Sequence, residues 1–177
     1  MNRNTGLSVA LIACLLLGVT TAIPAGATLI SLQSTIDGAQ ASAGAGTGSP
    51  GTGLAAITFD DVTKNISWNI SWSGLSGALT AAHFHGPAGP GTNAGVQVFF
   101  IDIAPGNPSV GSTIIDNDQA ADLLAGLWYI NIHTQEFPGG EIRGQVLQSA
   151  NGVPEPATLA LFGLGLTGLG WSRRKKA

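Results

Sequence analysis

From Asn65 to Trp72 the chain alternates without a break, Asn-Ile-Ser-Trp-Asn-Ile-Ser-Trp. Successive side chains of a strand point to opposite faces, so Ile66, Trp68, Ile70 and Trp72 share one side and Asn65, Ser67, Asn69 and Ser71 the other. The period is two, not 3.6, and it predicts a half-buried β-strand. Leu54–Phe59 reads as the strand before it, joined by a hairpin loop over 60–65. Further strands are expected at Thr28–Ile36, Ala81–His85, Val96–Ile103, Leu127–His133 and Ile142–Leu147. Gly38–Gly53 is rich in Gly, Ala and Ser, which predicts a long loop with a short edge strand near Ala39-Gln40. The helical signal is brief: Asp118 can cap Gln119–Ala125, and Gly126 can end it. Many short strands with Gly/Pro turns predict an all-β domain, an antiparallel immunoglobulin-like or Greek-key β-sandwich or barrel.

The two ends read differently. Arg3 precedes an apolar stretch from Leu7 to Val19, and Ala25-Gly26-Ala27 supplies small residues in an A-x-A pattern. This predicts a secretory signal helix over residues 1–27 with cleavage after Ala27. At the other end, residues 151–177 hold Val153-Pro154-Glu155-Pro156, an apolar helix-length run from Thr158 to Trp171, and a basic end beginning Arg173-Arg174. The run is shorter than the about 20 apolar residues of a comfortable membrane span. The basic cluster would hold its end on the cytoplasmic side.

This tail resembles the PEP-CTERM sorting signal of Gram-negative bacteria. The resemblance implies export through the Sec machinery, transient anchoring in the inner membrane, and cutting near the Pro-Glu-Pro box by an exosortase. The cell surface or the extracellular matrix would be the destination. Cys14, within the signal, is the chain's single cysteine, so the processed domain can form no disulfide and no thiolate site.

Between the ends lie about 125 residues, enough for one domain with a real core. From Thr28 to Gly152 there are two basic residues, Lys64 and Arg143, against nine acidic ones, a formal net charge of minus seven. Nucleic-acid binders need a basic footprint, so a nucleic-acid partner is excluded. The Gly86–Gly91 loop lacks a Walker-type lysine, and Asp116, Asn117, Asp118 and Asp122 lack the glycine and distal glutamate of an EF-hand loop.

The chemistry concentrates in two segments. One is Ala81-Ala82-His83-Phe84-His85-Gly86-Pro87-Ala88. The other is Leu127–Thr134 followed by Gly139-Gly140-Glu141-Ile142-Arg143-Gly144-Gln145. They hold all three histidines. Alternation sends Phe84 to the core and His83 and His85 to the opposite face. It also sets Trp128, Ile130 and Ile132 against Tyr129, Asn131 and His133. Imidazoles at i and i+2 on a strand, roughly 6.5–7 Å apart at Cα, can close on one ion. His133 from a neighbouring strand would complete a three-histidine site for copper or zinc, with Tyr129 and Asn131 supporting it. A second reading stays open: histidines on a polar face that only hydrogen-bond across the sheet, with Glu141 and Arg143 pairing with each other or latching the last strand.

These two segments resemble the CHRD domain, first described in chordin, over roughly residues 27–149. The resemblance implies an immunoglobulin-like β-barrel. It supplies no biochemical function. Near Gln40 the chain departs from the glutamate-proline usual in that family. No Ser-His-Asp arrangement is apparent. The expectation is a non-enzymatic surface or matrix module binding exopolysaccharide or a surface protein, with a copper or zinc protein on a superoxide-dismutase-like barrel as the alternative.

Overall fold

The computed structural model describes residues 27–149. The predicted signal helix before Ala27, and the tail with Val153, Pro154, Glu155, Pro156, Arg173 and Arg174, lie outside the described residues. Among the described residues, no helix is long and apolar enough to cross a membrane.

The alternating segment forms its strand. β1 (Leu29–Asp37), β2 (Thr52–Asp60) and β3 (Asn65–Ser73) make an antiparallel meander. The chain then crosses to β4 (Leu79–His85) and β5 (Val96–Val98), takes one helical turn, α1 (Phe100–Ile103), and returns to β6 (Ser109–Ile114) beside β3. Helix α2 (Asn117–Leu124) leads to β7 (Tyr129–Thr134), β8 (Ile142–Gln145) and β9 (Leu147–Gln148). All strands belong to one antiparallel sheet in the order β5-β4-β7-β8-β1-β2-β3-β6, with β9 also on β1. The sheet curls into a half-barrel, so its two halves face each other across the core.

That core is what the period-two pattern supplies. Ile66, Trp68 and Ile70 of β3 are buried, with Leu32 and Ile36 of β1 and Ile57 and Phe59 of β2 beside them. From the other half come Phe84, Ile130, Ile132 and Trp128. The Trp68 indole meets the Phe84 ring edge-on at 5.8 Å and the Phe100 ring at 6.4 Å, a geometry that favours aromatic pairs.

The two halves are joined by a thin seam. β8 touches β1 at one pair, Asp37↔Arg143, and β9 at two, Leu32↔Gln148 and Gln33↔Leu147. Gln40 bridges the gap between them. Its Oε1 accepts from the Gln145 backbone N–H at 3.2 Å, and its Nε2 donates to the Thr35 carbonyl at 2.9 Å. Asp37 accepts from the Gln40 backbone N–H and from Nε2, each at 3.0 Å, and so orients the side chain. One side-chain amide thus stands in for a missing peptide of the ladder. Gln40→Ala is expected to cost about 1–3 kcal/mol, because strand groups lose their partners. Chemical denaturation checks this; a loss under about 0.5 kcal/mol, ordinary for a surface change, would show that the bridge is dispensable.

Three local expectations are corrected, and one strand is added. The segment near Ala39-Gln40 is a bend, and Gln40 serves the sheet through its side chain rather than its backbone. The strand expected over Val96–Ile103 stops at Val98, and the α1 turn places Phe100 in the core against Trp68 and Phe84. The cap of α2 is Asp116, not Asp118. Its carboxylate accepts from Gln119 N at 2.8 Å while Gln119 Oε1 accepts from Asp116 N at 3.0 Å, a reciprocal capping box. Strand β6 was not anticipated at all.

Candidate metal centre

The sheet register sets out the site. On the neighbouring strands β4 and β7, His85 lies opposite Tyr129, His83 opposite Asn131 and Ala81 opposite His133. All of these side chains stand on the face away from Phe84, Ile130 and Ile132, as alternation requires. The His83 ring centroid is 5.5 Å from that of His85 and 5.1 Å from that of His133, and the last two are 6.1 Å apart. One ligand nitrogen from each ring lies within 4.8 Å of the other two. In a tetrahedral zinc site with bonds of about 2.0–2.1 Å, the nitrogens sit roughly 3.3–3.4 Å apart, so small ring movements close the set.

The loop between β4 and β5 folds over the His85 end of this face, where His85 is buried, while His83 and His133 are half-buried. Arg143 of β8 donates to the Thr92 carbonyl at 2.8 Å, to Asn93 Oδ1 at 3.2 Å and to the Gly89 carbonyl at 3.3 Å. Gln145 Nε2 donates to the Ala88 carbonyl at 2.8 Å, and the Tyr129 hydroxyl accepts from the Ala94 N–H at 3.0 Å. The Arg143 guanidinium lies 3.4 Å over the Tyr129 ring, and that ring stacks on His85 at 5.0 Å and 9°. A column of planar groups therefore crosses β8, β7 and β4 and fixes the His85 ring.

Hydrogen bonds set the tautomers. His85 Nδ1 lies 3.0 Å from the Ala94 carbonyl, which can only accept, so Nδ1 carries the proton and Nε2 presents a lone pair. The same logic applies to His133, whose Nδ1 donates to the Pro138 carbonyl at 2.8 Å. Its Nε2 accepts from Asn131 Nδ2 at 3.2 Å. The Gly139 carbonyl, 3.1 Å from the same nitrogen, identifies that end of the amide as the donor. Among the described residues, His83 Nδ1 and His85 Nε2 are buried with no hydrogen-bond partner. Two imidazole nitrogens without partners, on rings 5.5 Å apart, are an exception to the rule that buried polar atoms are satisfied.

The electrostatics favour neutral rings. Burial lowers the His83 pKa below its usual value, and the nearby His133 and His85 add to this while Asp102 opposes it. Burial also lowers that of His85, against the hydrogen bond to Ala94 and with help from His133 and Arg143. Neutral imidazole is the metal-binding form. Phe99, 51% exposed, sets its ring 4.8 Å from His83 and shields one side of the cluster.

Glu141 and Arg143 take separate partners. Glu141 is wholly inaccessible to solvent. Its Oε1 accepts from Ser49 Oγ at 2.5 Å and from the Ser76 N–H at 2.6 Å, and its Oε2 accepts from Thr134 Oγ1 at 2.6 Å. The carboxylate thus ties the Gly-rich loop and the β3–β4 connection to the β7–β8 hairpin. Gly140 within that hairpin has φ +118°, and a β-carbon there would overlap the Asn131 amide, so only glycine fits. Sequence reasoning missed Ser49, Ser76 and Ala94, which come from loops without a periodic pattern; it placed Phe99 inside the strand expected over Val96–Ile103 and Gln40 in an edge strand, and gave neither its role.

Fold and site together define an all-β domain that carries a histidine cluster on a covered face of a curled sheet. The CHRD domain family matches residues 32–146, more than half of the chain, and the protein belongs to that family. A PEP-CTERM protein-sorting motif matches residues 152–175. Comparison with curated proteins and with solved structures gives no match. The sorting motif makes this an exported protein that is processed by an exosortase during export.

Proposed function

We propose that this exported domain binds one copper or zinc ion through His83, His85 and His133. The observation that carries the reading is the pair of buried, unpartnered nitrogens, His83 Nδ1 and His85 Nε2, in a cluster whose ligand atoms lie within 4.8 Å. Imidazole suits both metals, and a three-nitrogen set leaves a coordination position open. The Ala94 and Pro138 carbonyls would orient the His85 and His133 rings, as outer partners of metal-bound histidines do.

The test is direct. The chain is stripped with chelator, resupplied separately with Cu(II) and Zn(II), passed through gel filtration and analysed for metal by mass spectrometry. About one ion per chain is expected, and none for the triple variant with all three histidines changed to alanine. A wild-type chain that retains neither metal ends the reading.

The exopolysaccharide reading has separate support on the outer face of β1–β3. Ser31, Gln33, Thr58, Ser67 and Asn69 line one shallow groove there. Their hydroxyls and amides offer uncharged hydrogen-bonding groups to a neutral sugar polymer. Retention of the metal-free chain on such a polymer, lost on changing Gln33 and Asn69 to alanine, would favour it.

A further inference from the structure

We infer that the free edge of β6 pairs with β6 of a second copy of this chain. β6 ends the sheet order, with β3 on one side. Among the described residues, no hydrogen bond outside the β3 ladder reaches the backbone of Val110–Ile114. Such an edge is a template for another strand, and folded proteins usually guard it with a lysine, a proline or a bulge. Ser109–Ile114 carries no charge and no proline, and its pairing with β3 runs without a register shift.

The apolar residues of β6 face the wrong way for a half-buried strand. Ser109 is buried beside Trp68, and Gly111 sits where a β-carbon would strike that indole. Val110 and Ile114 point outward, 61% and 73% exposed, on either side of Ser112. That outward row is symmetric. An antiparallel partner related by a two-fold axis at Ser112 places each Val110 opposite the Ile114 of the other copy, giving two apolar cross-strand pairs. Charge limits where two copies can meet. The domain carries minus seven, so most faces of two copies repel, whereas this strand brings no acid into the contact.

The register makes the test specific. Facing residues of an antiparallel pair have Cα atoms about 4.5–5.5 Å apart, within disulfide range. Two copies of Val110, four residues out of register, would lie roughly 13 Å apart. In a full-length chain in detergent with Cys14→Ser, Ser112→Cys is expected to form an interchain disulfide under mild oxidation while Val110→Cys does not. Light scattering on the cysteine-free chain should show a dimer that Val110→Lys converts to monomer with an unchanged circular dichroism spectrum. Equal cross-linking at both positions, or a dimer indifferent to Val110→Lys, would place the contact elsewhere and overturn the inference. A wild-type monomer would overturn it as well, including the case where another segment of the same chain covers the edge.

Discussion

Glu141→Ala is expected to destabilise the domain by about 2–4 kcal/mol, the largest stability loss of any single change considered. The carboxylate has no accessible surface and accepts from Ser49, Ser76 and Thr134. Truncation leaves those donors facing a cavity. The two hydroxyls can turn to other partners, but the Ser76 N–H is fixed by the backbone and loses its acceptor. Urea unfolding at pH 7 measures the loss, and a change below about 1 kcal/mol would contradict the role given to Glu141.

Acid should act through the same group. Burial by itself raises the Glu141 pKa, but the bonds from Ser49, Thr134 and Ser76 prevail and hold it below its usual value. A carboxyl with a depressed folded-state pKa contributes stability above its unfolded value, near 4.3, and loses it as pH falls through the folded value. The wild type should therefore lose stability on acidification below about pH 4.5, and Glu141→Gln should flatten that slope. Parallel acid profiles for the two proteins would refute the assignment.

His85→Ala is expected to weaken copper or zinc binding beyond the 10–100-fold typical of losing an outer partner, because it removes a ligand itself. Its effect should exceed that of Tyr129→Leu, which removes only the ring stacked on it. The pH arm has a definite sign. The His83 and His85 pKa values are lowered, so protons compete weakly with a metal, and the ion should be held to lower pH than an unperturbed imidazole set would hold it. Isothermal titration against pH reads this directly. Asn131 complicates His133, since its amide now occupies the lone pair a metal would take. Asn131→Ala should raise the affinity slightly or leave it unchanged, unless the loss of its bond to Gly139 disturbs the hairpin.

The sequence announced what alternation and local chemistry control. Trp68 and Phe84 went to the core because their strands alternate, and the same rule turned His83, His85 and His133 to a common face. β6 escaped notice because its alternation is inverted: serine, glycine and threonine face inward, where Trp68 leaves room for nothing larger at Gly111, and the apolar residues face out. The turn at Phe100 was illegible because Val96–Ile103 reads as a strand by composition, and only contact with Trp68 from the other half of the sheet favours the bend. The cover over the histidines was hidden for a similar reason. It depends on Arg143 reaching a loop carbonyl and Tyr129 a loop N–H, each more than thirty residues away in sequence.

The two buried ions of β8 and its approach carry one more consequence. Among the described residues, neither Glu141 nor Arg143 leans on a countercharge; each is solvated by hydroxyls, amides and carbonyls of the fold itself. Dipoles packed against an ion out of reach of water are hardly screened by dissolved salt, unlike charge pairs at a surface. The part of the stability that these two residues supply should then be nearly the same in dilute and in briny media, a useful trait for a molecule that leaves the regulated interior of the cell for surroundings it cannot control.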